Sequence, residues 1–273
     1  MKYRLIVTDM DGTLLSDHKE ISEENKKALK KAQDMGINVA IATGRIYTSA
    51  KYYANLLGLN TPIIACNGAI IREEKTGKTI YENIITREDS LKIFDVCSRY
   101  DIYYHFYNDS GFYCKELNYS SLEYSKWNES QPKEDRLNIQ VMDNPLETIK
   151  NTDDILKFVI IDDDLEKLDE VMEELKKIDT VEVSKSWYNN IEIMNKGVNK
   201  GLAVKRLAEY FGIKKEEIIT FGDNFNDLSM IEYAGMGVAM GNAEDIVKEK
   251  ANFITSSNKE SGVAKALKEI LGI

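Results

Sequence analysis

The chain has 273 residues, of which 43% are hydrophobic and 30% charged, and these values are typical of a globular protein with one large domain or two smaller ones. A net charge of −10 argues against a nucleic-acid partner, and no run approaches the roughly 18 apolar residues of a membrane-spanning helix. Because the N-terminus lacks a signal-peptide pattern and the three cysteines lack CxxC spacing, we expect a cytoplasmic protein with reduced thiols.

The first part of the chain alternates strand and helix patterns. Apolar runs at Arg4–Thr8, Ile37–Ala42 and Pro62–Ala65 predict buried strands. Between the first two, a helix is predicted from the capping residue Ser22 to Gly36. Strands without polar alternation, separated by amphipathic helices, indicate a parallel sheet that is covered on both faces.

The pattern changes between about Asn83 and Trp187. Shorter strand-like runs are predicted here at Ile102–Tyr107, Phe112–Cys114, Leu156–Ile161 and Val181–Ser184. Together with acidic helical segments such as Leu165–Lys177, they indicate a separate α+β module.

The βα pattern is expected to return from Ile191 onward. Lys200 stands at the start of a predicted helix, and Ile218–Phe221 is a predicted buried strand. We therefore predict a discontinuous α/β core over residues 1–82 and 188–273, with a doubly wound, mainly parallel sheet. Residues 83–187 are predicted to form an inserted α+β cap domain that sets substrate specificity.

Several polar residues stand at the predicted carboxyl ends of strands or at a helix start. In open α/β sheets, ligands bind beyond the carboxyl ends of the strands. We therefore expect these residues to converge, although they are far apart in sequence. They are Asp9 and Asp11, Thr43 and Gly44, Lys200, and Asp223 and Asp227.

Each of these groups suits phosphoryl transfer. Asp9 is a candidate nucleophile, and Asp11 lies on the same side of an extended backbone, where it can act as acid and then base. For that role the pKa of Asp11 has to be raised, and an apolar covering is expected to raise it. Thr43 and Gly44 offer a hydroxyl and backbone N–H groups to phosphate oxygens.

The remaining groups suit a hard metal ion and a charged phosphate. Lys200 supplies a compact positive charge for the transferring group. Asp223 and Asp9 are oxygen ligands of the kind that Mg²⁺ prefers. Each pattern alone is also compatible with a turn or a helix cap, and it is the presence of all of them in one chain that favours chemistry.

Four motifs of this chain resemble those of the haloacid dehalogenase superfamily, and specifically its Cof-type phosphatases. They are Asp9-Met10-Asp11-Gly12-Thr13, Ala42-Thr43-Gly44-Arg45, Gly197-Val198-Asn199-Lys200-Gly201 and Gly222-Asp223-Asn224-Phe225-Asn226-Asp227. The segment Cys66-Asn67-Gly68-Ala69 is also common in this branch. The resemblance spans the whole chain, and the inserted segment has the position and size of the family's cap.

The resemblance implies a Mg²⁺-dependent phosphatase that acts on small phosphorylated metabolites, such as sugar phosphates, through an aspartyl-phosphate. It implies Asp9 as the nucleophile and Asp11 as the acid and base. Mg²⁺ would be held by the Asp9 carboxylate, the Asp11 backbone carbonyl and Asp223. The phosphate would be held by Met10 N–H, Thr43, Gly44, Lys200 and Asn226, and Asp227 would orient Lys200 or a metal-bound water.

Two other functions remain open at this stage. A phosphomutase uses the same aspartyl-phosphate but returns the phosphate to a sugar, and the motifs do not separate it from a phosphatase. A receiver-like phosphoacceptor also gathers acidic residues, a threonine and a lysine on a doubly wound sheet. The physiological substrate, the oligomeric state and protein partners are not indicated by the sequence.

Overall fold

The computed structural model describes residues 2–109 and 111–273. Over these residues the chain divides into two compact units. The first comprises the chain up to Arg45, Ala50–Tyr81 and Asn199–Ile273, and the second comprises Ile46–Ser49 and Glu82–Val198. None of the described helices has the length and apolar character that crossing a membrane requires.

The strands and helices alternate along much of the chain. The strands are β1 (Leu5–Thr8), β2 (Asn38–Ile41), β3 (Ile63–Ala65), β4 (Ile70–Arg72), β5 (Thr79–Glu82), β6 (Tyr103–Tyr107), β7 (Phe112–Cys114), β8 (Ile139–Val141), β9 (Lys157–Ile161), β10 (Val181–Ser184), β11 (Asn190–Asn195), β12 (Ile218–Gly222), β13 (Met236–Ala239) and β14 (Phe253–Ile254). The helices are α1 (Glu23–Asp34), α2 (Tyr47–Leu56), α3 (Arg87–Arg99), α4 (Tyr119–Glu129), α5 (Pro145–Lys150), α6 (Leu165–Leu175), α7 (Lys200–Phe211), α8 (Leu228–Tyr233), α9 (Asp245–Lys250) and α10 (Gly262–Leu271).

The first unit is built on a parallel sheet with strand order β14-β13-β12-β1-β2. Every neighbouring pair is parallel, and Leu5 of β1 is in register with Ile218 on one side and Asn38 on the other. The strands are mostly apolar because both faces are covered, and β1 is buried along its whole length. Helices α7 and α8 pack against one face of this sheet. The predicted α/β fold with a mainly parallel sheet is therefore confirmed.

Helix α1 shows why the sequence pattern located its ends correctly. The Ser22 hydroxyl accepts a hydrogen bond from Asn25 N–H (3.2 Å), which satisfies a donor that the first helical turn leaves unpaired. The apolar side chains Ala28, Leu29 and Ala32 share the buried face. Gly36 follows with a φ of +84°, a conformation that favours glycine after a helix.

A small sheet with the order β3-β4-β5 follows β2. Strand β3 was expected to extend the parallel sheet, and a parallel bridge between Ala42 and Ile64 links it to that sheet directly after β2. Its own ladder is antiparallel, with Ile63 opposite Arg72 of β4. The turn at residues 66–68 reverses the chain directly after β3 and causes this pairing.

The second unit has a sheet with the order β10-β11-β9-β6-β7-β8. Its apolar core includes Phe106 and Phe158 from the sheet and Leu168 from α6. The expectation that the βα pattern returns from Ile191 is wrong, because β11 pairs antiparallel with both β9 and β10. The alternation of residues 190–195 predicts a strand but does not indicate which sheet it joins. The unit therefore ends at Val198, later than the expected boundary at residue 188.

Candidate active site

Asp9 and Asp223 follow neighbouring strands at the same edge of the parallel sheet. Asp9 comes directly after β1, and its N–H donates to the carbonyl of Phe221 on β12 (2.9 Å). Asp223 comes directly after β12, which pairs in parallel with β1. Both aspartates are buried, with 5% and 8% of their surface exposed. The sheet topology therefore brings together two carboxylates that are more than two hundred positions apart in the chain.

Lys200 is the first residue of α7 and reaches the same place. The Asn199 side chain caps the helix by accepting from Leu202 N–H (2.8 Å). The buried Lys200 ammonium donates to Asp9 Oδ1 (2.5 Å) and to Asp227 Oδ1 (2.6 Å). Lys200 is thus held between two carboxylates, and its own side chain is buried.

Asp227 is fully engaged by protein donors. Its Oδ1 accepts from Lys200, and its Oδ2 accepts from the backbone N–H groups of Asp223 (2.9 Å) and Asn224 (3.1 Å). These contacts fix the loop that carries Asp223 and orient the Lys200 ammonium toward Asp9.

Asp223 is held by the loop that follows Asp9. Its Oδ1 accepts a hydrogen bond from the Thr13 hydroxyl (2.6 Å). Gly12 packs directly against the same carboxylate, with a φ of +80°. A β-carbon at position 12 would lie only 2.7 Å from Asp223 Cγ, so only glycine allows this approach.

The charges of this cluster fit a divalent cation. Carboxylate oxygens of Asp9, Asp223 and Asp227 lie within 4.8 Å of one another. The ammonium group of Lys200 contacts two of these carboxylates, those of Asp9 and Asp227. Burial and then the charge of Asp227 raise the pKa of Asp9 well above its ordinary value, against the opposing effect of Lys200. Burial and Asp227 also raise the pKa of Asp223 to about 7. A hard cation with oxygen ligands would relieve this excess of negative charge.

Asp11 has a different environment from the one expected. Arg45 holds its carboxylate by two hydrogen bonds, from Nε to Oδ2 (2.6 Å) and from the terminal guanidinium nitrogen to Oδ1 (2.7 Å). Lys19 adds a third contact to Oδ1 (2.8 Å). Crowding by protein atoms would raise the pKa of Asp11, but Arg45 and then Lys19 outweigh it and hold the pKa below its ordinary range. The expectation of a raised pKa at Asp11 is wrong, because the covering groups are cationic, not apolar.

The other predicted phosphate contacts lie in loops around these residues. Thr43 and Gly44 follow β2 but precede α2, which begins only at Tyr47, so they lie in the loop ahead of the helix and not at its first turn. The Thr43 hydroxyl accepts from Arg45 N–H (3.2 Å). Met10 is buried, and its carbonyl accepts from Leu14 N–H (2.9 Å).

Asn226 stands in a short turn before α8. Its side-chain amide donates to Asn67 Oδ1 (3.2 Å), and Asn67 N–H in turn donates to the Thr43 carbonyl (2.9 Å). Asn67 therefore connects two of the predicted phosphate-binding loops.

Three residues with evident structural roles at this site received no role from the sequence. Thr13 and Arg45 stand inside motifs that carry the resemblance. Their positions in the chain were therefore known, but the residues that they contact in the fold were not. Asn67 was named only as part of the segment Cys66-Asn67-Gly68-Ala69, without a role of its own. A carboxylate–guanidinium pair 34 positions apart leaves no mark in the sequence before the fold is known.

Comparison with known proteins decides the family. The model of a family described as haloacid dehalogenase-like hydrolase matches residues 6–267. The chain belongs to this family. Like its curated relatives, this haloacid dehalogenase-like hydrolase is a phosphatase that acts on phosphoric monoesters.

The relatives cover nearly the whole chain. A 5-amino-6-(5-phospho-D-ribitylamino)uracil phosphatase of Bacillus subtilis, YcsE, is 35% identical over 97% of this chain and 94% of its own. The pyridoxal phosphate phosphatase YbhA of Escherichia coli is 30% identical over 97% of both chains. A haloacid dehalogenase-like hydrolase of Bacteroides thetaiotaomicron has a similar structure, with a TM-score of 0.85 and 32% identity over 98% of this chain and 100% of its own.

Proposed function

We propose that this hydrolase is a Mg²⁺-dependent phosphatase that removes phosphate from small metabolites through a covalent aspartyl-phosphate, an acyl phosphate formed on Asp9. The observation that carries the proposal is the contact between Asp9 and Lys200, buried at the sheet edge beside Asp223. A carboxylate held at a strand end beside an ammonium group and a metal-binding carboxylate suits nucleophilic attack on a phosphate anion.

The metal would be held by the carboxylates of Asp9 and Asp223 and by the backbone carbonyl of Asp11. Asp227 belongs to the same acidic cluster, but its oxygens already accept from Lys200 and from two backbone N–H groups, so it supports the site and does not bind the ion. When bound, Mg²⁺ neutralises phosphate charge and favours the ionised form of Asp9.

The reaction would take place in two steps. In the first, a carboxylate oxygen of Asp9 attacks phosphorus, and the bond from phosphorus to the leaving oxygen breaks while Asp11 gives that oxygen a proton. In the second, Asp11 takes a proton from water, whose oxygen attacks phosphorus and releases Asp9 and inorganic phosphate. Met10 N–H, Thr43, Gly44, Asn226 and Lys200 would hold the phosphate oxygens throughout.

The ion pairs that Asp11 makes with Arg45 and Lys19 suit the second step, in which Asp11 acts as a base. Arg45 and Lys19 keep the carboxyl ionised, which is the form that takes a proton from water. To protonate a leaving group the same carboxyl must first gain a proton. The assignment therefore requires the Arg45 and Lys19 contacts to open when substrate binds.

The substrate class follows from the relatives. The named activities of YcsE and YbhA both remove phosphate from a small molecule that carries a nitrogen heterocycle. We propose a small phosphorylated metabolite of this general kind or a sugar phosphate as the substrate here. Residues 82–198, which form most of the second unit, would act as the cap that selects among such esters.

The test uses substitutions at the two aspartates with nitrophenyl phosphate, whose leaving group needs little protonation. Asp9→Asn should abolish turnover and phosphoenzyme formation. Asp11→Asn should release a burst of about one nitrophenol per enzyme and then hydrolyse the phosphoenzyme slowly, since general base catalysis contributes roughly 10²–10⁴-fold. Asp34→Asn, at an exposed helical aspartate, is the charge-matched control and should retain full activity.

Two results would count against the proposal. Full activity of Asp11→Asn on an alkyl phosphate would remove the acid and base role. Formation of an isomeric ester in place of free phosphate would assign the chain to the phosphomutases, which use the same phosphorylated aspartate.

A further inference from the structure

The turn between β3 and β4 has an uncommon backbone. Cys66, Asn67 and Gly68 have φ angles of +50°, +57° and +100°, so three consecutive residues are left-handed. Only Gly68 lacks the β-carbon that makes this conformation unfavourable, although asparagine tolerates it better than most residues. All three residues are buried. Such a backbone persists only where its surroundings hold it in place.

The backbone of this turn holds the loop that carries Thr43 and Gly44. Asn67 N–H donates to the Thr43 carbonyl (2.9 Å), and Cys66 N–H donates to the Arg45 carbonyl (2.9 Å). The two acceptors stand on either side of Gly44. The turn therefore holds the backbone on both sides of a predicted phosphate contact.

The side chain of Asn67 reaches a second predicted phosphate contact. Its Oδ1 accepts from the amide of Asn226 (3.2 Å), the residue before Asp227. Asn67 itself is 1% exposed and Asn226 is half-buried, so the Asn67 end of this amide pair is held inside the protein.

The next residue packs against the helix that carries Lys200. A β-carbon on Gly68 would lie 2.7 Å from Ala203 Cβ and 2.8 Å from the Asn199 carbonyl oxygen. The turn thus contacts the start of α7 as closely as a glycine allows, and it contacts three of the loops that surround Asp9.

We propose that Asn67 is a positioning residue for phosphate: its amide orients the Asn226 side chain while its N–H sets the Thr43 loop. The inference rests on the proposed function, which assigns Thr43 and Asn226 to the phosphate. Asn67 acts through these residues and does not contact the reacting atoms.

A purely conformational role for Asn67 would give a different result on substitution. Asparagine would then be present only because it tolerates a positive φ. Asn67→Gly separates the two roles, because glycine adopts this backbone readily but lacks the amide that holds Asn226. Asp101, which has a φ of +45° in the second unit, gives the matched control Asp101→Gly.

The experiment measures KM, kcat and the inhibition constant for inorganic phosphate beside thermal unfolding. Asn67→Gly should weaken inhibition by phosphate about tenfold and raise KM, as expected for loss of one oriented hydrogen bond, while Asp101→Gly leaves both constants unchanged. The double variant Asn67→Gly/Asn226→Ala should be no weaker than Asn226→Ala, because the effect of Asn67 on phosphate passes through Asn226.

Each other outcome overturns the inference in a recognisable way. If Asn67→Gly lowers the unfolding temperature but leaves the inhibition constant for phosphate unchanged, Asn67 has a structural role only. If Asn226→Ala weakens phosphate inhibition but Asn67→Gly does not, this inference fails and the proposed function stands. If Asn226→Ala has no effect on inhibition by phosphate, the assignment of Asn226 to the phosphate in the proposed function fails. If the glycine variant does not fold, Asn67→Ser, which also lacks the amide, takes its place.

Discussion

Gly12 packs against the carboxylate of Asp223, and a β-carbon at position 12 would lie 2.7 Å from Asp223 Cγ. The two residues follow β1 and β12, so this contact joins the loop of Asp9 to the loop of the second candidate metal ligand. Thr13 strengthens the junction through its hydrogen bond to Asp223 Oδ1 (2.6 Å). The position of Asp223 relative to Asp9 therefore depends on the absence of a side chain at residue 12.

The substitution Gly12→Ala should displace Asp223 and reduce both Mg²⁺ affinity and turnover, the latter by at least tenfold. Gly36→Ala is a matched control, because Gly36 has a similar φ of +84° but nothing within 4 Å of an added β-carbon. It should cost about 1 kcal/mol of stability and leave activity intact. Equal losses of activity in the two variants would show that backbone strain, not contact with Asp223, limits position 12.

Removal of Mg²⁺ by a chelator should abolish turnover, and added Mg²⁺ should restore it. Mg²⁺ at 100 times its Kd should also stabilise the folded protein by about 2.7 kcal/mol, because it binds the folded state alone. Thermal unfolding with and without Mg²⁺ measures this gain in stability. Asp223→Asn should lose the stabilisation by Mg²⁺, and the control Asp34→Asn should keep it. Full turnover in chelator would refute the assignment of Asp9 and Asp223 as metal ligands.

Lys200→Met should lower kcat at least a hundredfold and destabilise the protein by about 3–5 kcal/mol, because Asp9 and Asp227 lose their shared buried cation. Lys157→Met is the control for buried charge. Lys157 Nζ lies 2.7 Å from Glu192 Oε1, and both side chains are buried in the second unit. This variant should be similarly destabilised but, when folded, should still hydrolyse nitrophenyl phosphate.

If folded Lys157→Met loses that reaction, the second unit supplies catalytic groups and the proposed division of roles fails. Denaturant unfolding gives the stability of each variant, and initial rates below the unfolding range give the activity.

As the pH decreases from 7 to 5.5, His105 should lower the stability of the folded protein, against the opposite effect of Asp9 and Asp223, whose raised pKa values favour the folded state as they gain protons. Burial, and then the charge of Lys157, hold the pKa of His105 well below its ordinary value near 6.5. The unfolded chain therefore binds a proton that the folded protein excludes. The stabilisation is complete above the unfolded pKa and decreases by up to about 1.4 kcal/mol per pH unit below it.

Denaturant unfolding at several pH values tests this effect. His105→Gln should remove this contribution, so that the variant loses less stability, or gains more, than the unsubstituted protein between pH 7 and 5.5. His18→Gln should not, because His18 is exposed and is the other of the two histidines in the chain. An unchanged slope in His105→Gln would mean that His105 does not contribute to the pH dependence of stability.

Much of the architecture follows from local patterns in the sequence. Continuous apolar runs predicted β1, β2 and β12, and the Ser22 cap and Gly36 marked the ends of α1. Strand ends in a parallel sheet share one edge, so the meeting of Asp9 and Asp223 was expected from their predicted strand ends, and that of Lys200 from its predicted place at a helix start. These features depend on residues near each other in the chain or on a rule that holds for all such sheets.

Only the tertiary structure decided which long-range partners each residue has. The sequence does not show that β11 joins the antiparallel sheet, since alternation specifies a strand and not its neighbour. It equally leaves open the contact of Arg45 with Asp11, which reverses the expected pKa shift, and that of Asn67 with Asn226. Protonation and orientation depend on charges and hydrogen bonds within a few ångströms, and the complete fold brings those groups together.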